Sequence, residues 1–125
     1  MSERIGTRAL RGATTVESDE PAEIRAATRE LLDALLERNM LDARDIISAI
    51  FTVTEDLRSE FPARSARELG WDDVPLLCTV EIPVPGALPR CIRVLIHAET
   101  TAERRAIRHV YLRRAAMLRP DLGRG

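Results

Sequence analysis

Two charged residues interrupt segments that are otherwise typical of β-strands. Arg93 lies within Cys91-Ile92-Arg93-Val94-Leu95-Ile96, and Glu81 follows Leu76-Leu77-Cys78-Thr79-Val80. A charge in such a setting must be paired or useful, because burying it alone is costly. One interpretation is an ion pair between Arg93 and Glu81 across a hairpin. The other is a pocket for a ligand that carries several negative charges and a hydroxyl group.

Cys78 and Glu81 pose a problem of strand parity. They are separated by an odd number of positions, so on a regular strand they would face opposite sides of the sheet. A bulge or a strand end would be needed for both side chains to enter one pocket. The residues alone do not decide between these possibilities.

Other kinds of catalytic or binding site find little support in the sequence. There is no Gly-rich phosphate loop and no Gly-x-Ser-x-Gly motif. Cys78 and Cys91 do not have metal-ligand spacing and are predicted to be free thiols. His97 and His109 belong to different predicted elements, which favours structural or surface roles. We therefore expect no metal site.

Size and composition indicate one globular domain spanning residues 1–125. The 14.0 kDa chain has 45% hydrophobic and 31% charged residues, which excludes a disordered or membrane-embedded protein. All 19 basic residues are Arg, and with 20 acidic residues the formal net charge is −1, which argues against general nucleic-acid binding. Residues 1–20 contain no continuous apolar stretch of the secretory type, so we expect a cytoplasmic protein.

The chain pattern predicts alternating strands and helices. Residues 4–10 read as a strand, followed by a tight loop over 11–15 that places Arg11 at the strand end. Ser18-Asp19-Glu20-Pro21 predicts the start of a helix that runs to about Arg38. Further elements are predicted as a strand at 46–54, a short helix at 62–69, strands at 74–82 and 91–98, and short turns or strands at 102–105, 110–112 and 115–118.

These elements predict an α+β fold in which a mixed β-sheet packs against one long helix plus a short helix. The strands at 74–82 and 91–98 are expected to form a hairpin, because Pro83-Val84-Pro85-Gly86 between them is rich in turn residues. No second long helix is predicted to cover the other face of the sheet. Oligomerisation is the simplest way to cover it.

Five segments in the same order resemble a known family of enzymes. They are Arg11-Gly12-Ala13-Thr14-Thr15-Val16-Glu17, Phe61-Pro62-Ala63 with Arg67-Glu68-Leu69, Cys91-Ile92-Arg93-Val94, Arg108-His109-Val110-Tyr111-Leu112, and Leu118-Arg119-Pro120-Asp121-Leu122. Together they are similar to the monofunctional trimeric chorismate mutases, the non-helical class of that enzyme. The likeness extends from about Arg8 to Leu122.

The resemblance implies a homotrimer that forms a pseudo α/β barrel with active sites between neighbouring subunits. It also implies the Claisen rearrangement of chorismate to prephenate, on the route to phenylalanine and tyrosine, with no cofactor. Two alternatives stay open at this stage. One is a non-catalytic trimeric module that binds a carboxylated metabolite, and the other is a structural trimer whose arginines form ion pairs.

The family resemblance implies a role for each of five residues in the site. Arg93 resembles the central cation beside the ether oxygen of the substrate, where negative charge develops. Arg11 and Tyr111 match positions that hold the side-chain carboxylate. Glu81 matches the acceptor for the ring hydroxyl, and Cys78 matches a donor beside it.

The resemblance also implies which residues form the wall around the bound substrate. Its positions are Phe61, Ala63, Arg64, Arg67, Leu77, Leu118 and Arg119. Leu77 stands where some relatives have a hydroxyl residue, and Arg64 stands where some have Lys. The polar, Gly-rich tail at about 121–125 is expected to be mobile.

Overall fold

The chain alternates strands with helices, as predicted, and the computed structural model describes residues 4–118. In chain order its main elements are β1 (Gly6–Thr15), α1 (Pro21–Arg38), β2 (Ile46–Val53), α2 (Ala63–Glu68), β3 (Leu76–Val80), β4 (Cys91–Thr100) and β5 (Val110–Tyr111). Short 3₁₀ helices occupy Ala43–Asp45, Arg104–Ala106 and Arg113–Met117. None of the helices in residues 4–118 combines the length and apolar character needed to cross a bilayer.

The strands form one mixed sheet in the order β3-β2-β4-β1-β5. β4 is antiparallel to both β1 and β2, whereas β3 is parallel to β2 and β5 is parallel to β1. The α+β prediction is confirmed. The predicted hairpin between 74–82 and 91–98 is wrong, because β2 lies between β3 and β4. The Pro-rich segment therefore carries the chain past the end of β2 instead of joining two neighbours.

β1 is longer than the sequence predicts. The expected loop over 11–15 is strand, paired with β4 as far as Thr15 opposite Cys91, so Arg11 lies within the strand and not at its end. The small residues there mark close packing. A Cβ added to Gly12 would lie 2.7 Å from Leu35 Cδ1, so glycine lets α1 approach β1.

One face of the sheet carries the main core. α1 buries an apolar stripe against it, consisting of Ile24, Ala27, Leu31, Leu32 and Leu35. Leu10, Phe51 and Ile96 are fully buried in the same region of the molecule. Burial of this surface is the main force that fixes the strand register, because a one-residue slip would turn these side chains outward.

The opposite face is covered only at one end within the described residues. There the 3₁₀ helix Arg113–Met117 follows β5, and Ala13, Cys91, Tyr111 and Ala115 form a small buried cluster. Arg113 anchors this helix, because its Nη1 donates to the Thr15 carbonyl at 3.1 Å and its Nε lies 3.2 Å from Glu30 Oε1. The remainder of this face, here called the open face, presents side chains from β1, β2, β3 and β4.

Candidate active site

A cavity of about 310 Å³ on the open face collects most of the residues singled out by charge. We call it the arginine cavity; its lining residues are Arg11, Gly12, Ile50, Thr52, Glu81, Arg93, Val94, Leu95 and Tyr111. Arg93, Glu81, Arg11 and Tyr111 thus come together from four different parts of the chain.

Strand register explains why these side chains meet. Arg93 on β4 is opposite Ala13 on β1 and Thr52 on β2. Arg11 is opposite Leu95, two positions along β4 from Arg93. Because side chains two positions apart share a face, Arg11 and Arg93 both point to the open face.

Arg93 and Glu81 form an ion pair, with Arg93 Nε 3.2 Å from Glu81 Oε2. The Thr52 hydroxyl donates a hydrogen bond to the same oxygen. The pair predicted from the sequence is present, but it does not join neighbouring strands, because Thr52 of β2 lies between the two. Both side chains stay partly accessible, at 44% for Arg93 and 24% for Glu81. Within residues 4–118, Glu81 is the only carboxylate within ion-pair distance of Arg93.

Arg11 and Tyr111 sit at the other side of the arginine cavity. The Arg11 backbone N–H donates to His109 Nδ1 at 2.9 Å, and the Leu112 N–H donates to the Ala13 carbonyl at 2.9 Å, which ties β5 to β1. The Arg11 guanidinium has no ion pair with any described residue. The Tyr111 side chain is buried, and its hydroxyl has no hydrogen-bond partner within residues 4–118. The cavity therefore offers a cation and a phenol hydroxyl that the described fold does not use.

A second cavity of about 290 Å³ lies where β3 forms the edge of the sheet. We call it the Phe61 cavity; it is lined by Val53, Leu57, Arg58, Ser59, Glu60, Phe61, Pro62, Cys78, Thr79 and Val80. Phe61 is 66% exposed, which is unusual for a large aromatic side chain. Its neighbour Cys78 is half-buried.

The position of Cys78 answers the question of strand parity. Cys78 is opposite Phe51, whose side chain is fully buried in the main core. Cys78 therefore points away from the open face, whereas Glu81 lies beyond the end of β3 at Val80. Within one chain, Cys78 and Glu81 line different cavities.

The remaining wall residues lie in several places. Ala63 is buried at the start of α2, and Arg64 and Arg67 are exposed on that helix. Leu77 is 60% exposed and is opposite Ile50 of the arginine cavity. Leu118 packs beside the Tyr111 cluster. Arg119 and the tail at 121–125 lie outside the described residues.

Glu60 forms a second ion pair beside the Phe61 cavity. Its side chain is only 7% exposed, and its Oε2 lies 2.7 Å from Arg25 Nη1 and 3.5 Å from Arg64 Nη1. Oε1 accepts a hydrogen bond from the Phe61 N–H at 3.0 Å. Burial raises the pKa of Glu60, but the Arg25 hydrogen bond and the other donors outweigh it. The resulting pKa lies below the usual value.

Thr52 and Glu60 are polar residues of the site region that the sequence does not single out, and His109, expected to have a structural or surface role, accepts a hydrogen bond from the Arg11 backbone N–H. Thr52 was recognisable only as an alternating polar residue of a strand. Glu60 precedes Phe61-Pro62 in a charged segment, and only the fold reveals that it is buried. Cys91 lies under this site as well, and desolvation raises its thiol pKa from 9.0 to about 11, although the nearby Arg93 acts in the opposite direction. In the part of the chain that is described, no three His, Cys, Asp or Glu side chains form a group suited to a metal ion.

Comparison with known proteins shows similarity to chorismate mutases. The family model for chorismate mutase type I matches residues 7–122. Chorismate mutase AroH of Thermus thermophilus is 55% identical over 116 residues, which cover 92% of this chain and 95% of the relative. Chorismate mutase AroH of Bacillus subtilis (strain 168) is 44% identical over 116 residues, covering 92% and 91%. A solved chorismate mutase from Clostridium thermocellum matches with a TM-score of 0.86 and 50% identity, covering 87% of this chain and 97% of that one.

Proposed function

This chain belongs to the chorismate mutase type I family and is a chorismate mutase, and we propose that it works by clamping chorismate between two subunits with the Arg93 guanidinium against the ether oxygen. The reaction is the Claisen rearrangement of chorismate to prephenate. Of the earlier interpretations, the comparisons favour the enzyme over a non-catalytic or purely structural trimer.

The grouping of Arg93, Glu81, Arg11 and Tyr111 in one open cavity carries the proposal. Chorismate has two carboxylates, an ether oxygen and a ring hydroxyl. The cavity provides cations for the anionic groups and a carboxylate that can accept a hydrogen bond from the hydroxyl. Arg11 and Tyr111 are assigned to the side-chain carboxylate, and Glu81 to the ring hydroxyl.

The chemistry requires no proton transfer, because the substrate rearranges its own bonds. As the C–O bond breaks, negative charge grows on the ether oxygen. A guanidinium already in place stabilises that charge more in the transition state than in the ground state. Holding the substrate in its compact chair conformation removes a further part of the barrier, because the reacting ends no longer have to find each other.

Arg93 is suited to this role because its charge and direction are both fixed. An arginine side chain stays protonated at any physiological pH, and its planar fork is directional. The contact from Nε to Glu81 orients the guanidinium, while its 44% exposure leaves it open to the cavity. An isolated arginine on the same strand would carry the charge without the orientation.

The site is proposed to be completed by a second subunit of a homotrimer. The arginine cavity and the Phe61 cavity are both partly open to solvent, and the exposed apolar side chains near them include Phe61, Leu77, Val80 and Ile82. Exposed apolar surface of this kind is typical of an interface. Packing the open face against the edge of a neighbour would bring the Phe61 cavity, with Cys78, to the arginine cavity and give the pseudo α/β barrel.

In this arrangement the wall residues implied by the family resemblance would surround the substrate. Phe61, Ala63 and Leu77 would enclose the ring, while Arg64 and Arg67 on α2 would add positive charge near a carboxylate. Leu118 lies next to Tyr111 and would close the other end. The role of Arg119 as a further cation and the mobility of the tail at 121–125 remain predictions from the sequence.

We also propose that residues 1–125 act as one domain in the cytoplasm, without cofactor, metal or nucleic acid. The two cysteines are free thiols, with Cys91 buried and Cys78 half-buried. Unpaired cysteines are typical of a reducing compartment.

Mixed trimers test whether two chains build each site. Arg93→Ala alters the arginine cavity, and the double variant Arg64→Ala, Arg67→Ala alters the proposed opposite wall. Each homotrimer is expected to be nearly inactive. After the two are unfolded together and refolded at equal amounts, about one quarter of the sites combine two unaltered halves, since a cyclic trimer uses a heterologous interface.

The expected result is recovery of about a quarter of wild-type activity in the mixture. A matched control mixes Arg93→Ala with Glu81→Ala, which both alter the same half and should show no recovery. Lack of recovery in the first mixture, with mixed trimers demonstrated by native mass spectrometry, would contradict a shared site.

A further inference from the structure

We infer that Thr52 is a positioning residue that holds the Glu81 carboxylate so that one oxygen faces the ligand and Arg93 stays available to it. The inference rests on the proposed function, since it assigns Glu81 and Arg93 to chorismate. Thr52 belongs to none of the segments that carry the family resemblance.

Thr52 lies between the two charged residues because of strand register. On β2 it is opposite Arg93 of β4 on one side and Thr79 of β3 on the other. The Glu81 N–H donates to the Val53 carbonyl at 2.8 Å, which extends the pairing with β2 beyond the end of β3. The Thr52 side chain therefore faces the cavity beneath Glu81 and is half-buried.

The two contacts on Glu81 fall on one oxygen. The Thr52 hydroxyl and Arg93 Nε both approach Oε2. Oε1 has no hydrogen-bond partner within residues 4–118. A carboxylate has two equivalent oxygens. Because two donors occupy Oε2, Oε1 is left as the acceptor for a ligand hydroxyl.

Without the hydroxyl, Glu81 would be free to rotate. The terminal torsion of a glutamate is broad, so the carboxylate has little preference of its own. The strongest alternative for a carboxylate next to an arginine is a two-pronged pair that uses both oxygens and two guanidinium N–H groups. That pairing would occupy Oε1 and draw Arg93 away from the ether oxygen. The Thr52 hydroxyl, which lies on the sheet, donates to Oε2 and so prevents the carboxylate from turning into this two-pronged pair.

A threonine here could instead serve the strand alone, since β-branched residues favour β-structure. Thr52→Val separates the two roles, because valine has nearly the same shape and a similar strand preference but no hydroxyl. Thr52→Ser is the matched control, because it keeps the hydroxyl and loses a methyl group. Chorismate disappearance measured over a range of concentrations gives kcat and KM separately.

The expected result is a fall in kcat of about tenfold for Thr52→Val, corresponding to one lost hydrogen bond to a charged group. KM should change by less than about threefold, since the carboxylate-binding arginines are untouched. Thr52→Ser should stay within about threefold of wild type in both parameters. If Thr52→Val does not fold, as judged by circular dichroism, Thr52→Ala provides the same comparison against Thr52→Ser.

The link to Glu81 is tested by repeating Thr52→Val in a Glu81→Ala background. If the hydroxyl acts through Glu81, it should then change kcat by less than about twofold. A Thr52→Val enzyme with wild-type kcat, or one whose loss is undiminished in the Glu81→Ala background, would overturn the inference. Failure of the proposed function looks different, because Arg93→Ala or Glu81→Ala would then leave wild-type kcat unchanged.

Discussion

Two arginine–glutamate pairs within one chain have different environments. Arg25 and Glu60 lie 2.7 Å apart, and the Glu60 side chain is 7% exposed. Its two oxygens accept from Arg25, Arg64 and the Phe61 N–H. Arg93 and Glu81 lie 3.2 Å apart at the wall of an open cavity, and Glu81 keeps one oxygen without a described partner.

The contrast separates an ion pair that stabilises structure from one available for chemistry. Glu60 joins α1 to the chain leading into α2, so its contacts are used within the fold. Glu81 and Arg93 are only partly satisfied, and an incompletely satisfied charged pair at a cavity is ready to bind a polar ligand. Residue type alone does not distinguish the two pairs; accessibility and unused hydrogen-bonding capacity do.

Removal of the Arg93 guanidinium should produce the largest effect on activity. Arg93→Ala should lower kcat by about a thousandfold or more, equivalent to about 4 kcal/mol of transition-state stabilisation. Its free energy of unfolding should change by less than about 1 kcal/mol, because partly exposed ion pairs add little stability. Steady-state kinetics and urea unfolding of the same preparation check both values. A large loss of stability with normal turnover would reverse the contrast between the pairs.

Removal of Arg25 should affect stability instead. Arg25→Met keeps the aliphatic packing of the side chain but leaves Glu60 with only Arg64 and the Phe61 N–H. The free energy of unfolding should fall by about 2 kcal/mol, since an incompletely paired buried carboxylate is costly. kcat should stay within about threefold of wild type, because the fold and the arginine cavity remain intact. Arg29→Met, on the exposed side of α1, is the matched control and should change neither quantity appreciably.

The acid dependence of stability offers a finer comparison. Because Glu60 binds a proton less readily in the folded than in the unfolded chain, it stabilises the fold above about pH 4.5, the ordinary glutamate pKa. That contribution is lost as the pH falls through the lower pKa of the folded state. In Glu60→Gln the lost contribution should appear as lower stability at pH 7, with a difference from wild type that shrinks below pH 4.5. A difference that stays constant with pH would contradict the role given to this carboxylate.

The smallest predicted effect concerns Cys91, a buried thiol on the same sheet face as Arg93. Its folded-state pKa is raised to about 11, so the unfolded chain, with the ordinary value of 9.0, loses its proton first. The stability contributed by the neutral thiol is complete below pH 9 and declines as the pH rises toward 11. Unfolding of wild type and Cys91→Ala between pH 8 and 10.5 should give a steeper decline for wild type. Equal slopes would show that Cys91 does not contribute to the alkaline loss.

The sequence predicted which segments form helices and strands better than it predicted which of these segments lie next to each other. The helix over Pro21–Arg38 was expected from Ser18-Asp19-Glu20-Pro21, yet the Asp19 carboxylate accepts from the Arg58 and Ser59 backbone N–H groups and does not cap the helix. Local capping chemistry and a long-range contact use the same residue types. Their distinction depends on which segment the fold brings near.

The sheet order was beyond local reasoning. A Pro- and Gly-rich segment between two strands fits a hairpin, and nothing in its composition reports that β2 inserts between β3 and β4. Gly12 and its small neighbours looked like a loop for a similar reason. Small residues favour turns, but they also allow an element such as α1 to pack closely, and only packing separates the two cases.

For the candidate site, the residues themselves identified Arg93 and Glu81, because charges within apolar strands stand out. Arg11, Tyr111 and the wall came from the family resemblance, since an exposed arginine and a buried tyrosine have ordinary structural uses. Thr52 and Glu60 could not have been selected, because their importance lies in what they touch. Cys78 and Glu81 line different cavities of one chain, so both reach one cleft only if, as proposed, a neighbouring subunit supplies one of them.

The role of the Arg93 guanidinium is tested most directly by the turnover of Arg93→Lys at saturating chorismate. Turnover is measured as the loss of ultraviolet absorbance when chorismate is consumed. Lysine keeps the positive charge but has no planar fork, so we expect a folded protein whose kcat is at least about a hundredfold below wild type. A folded Arg93→Lys enzyme with wild-type kcat would contradict the claim that a fixed guanidinium stabilises the breaking C–O bond.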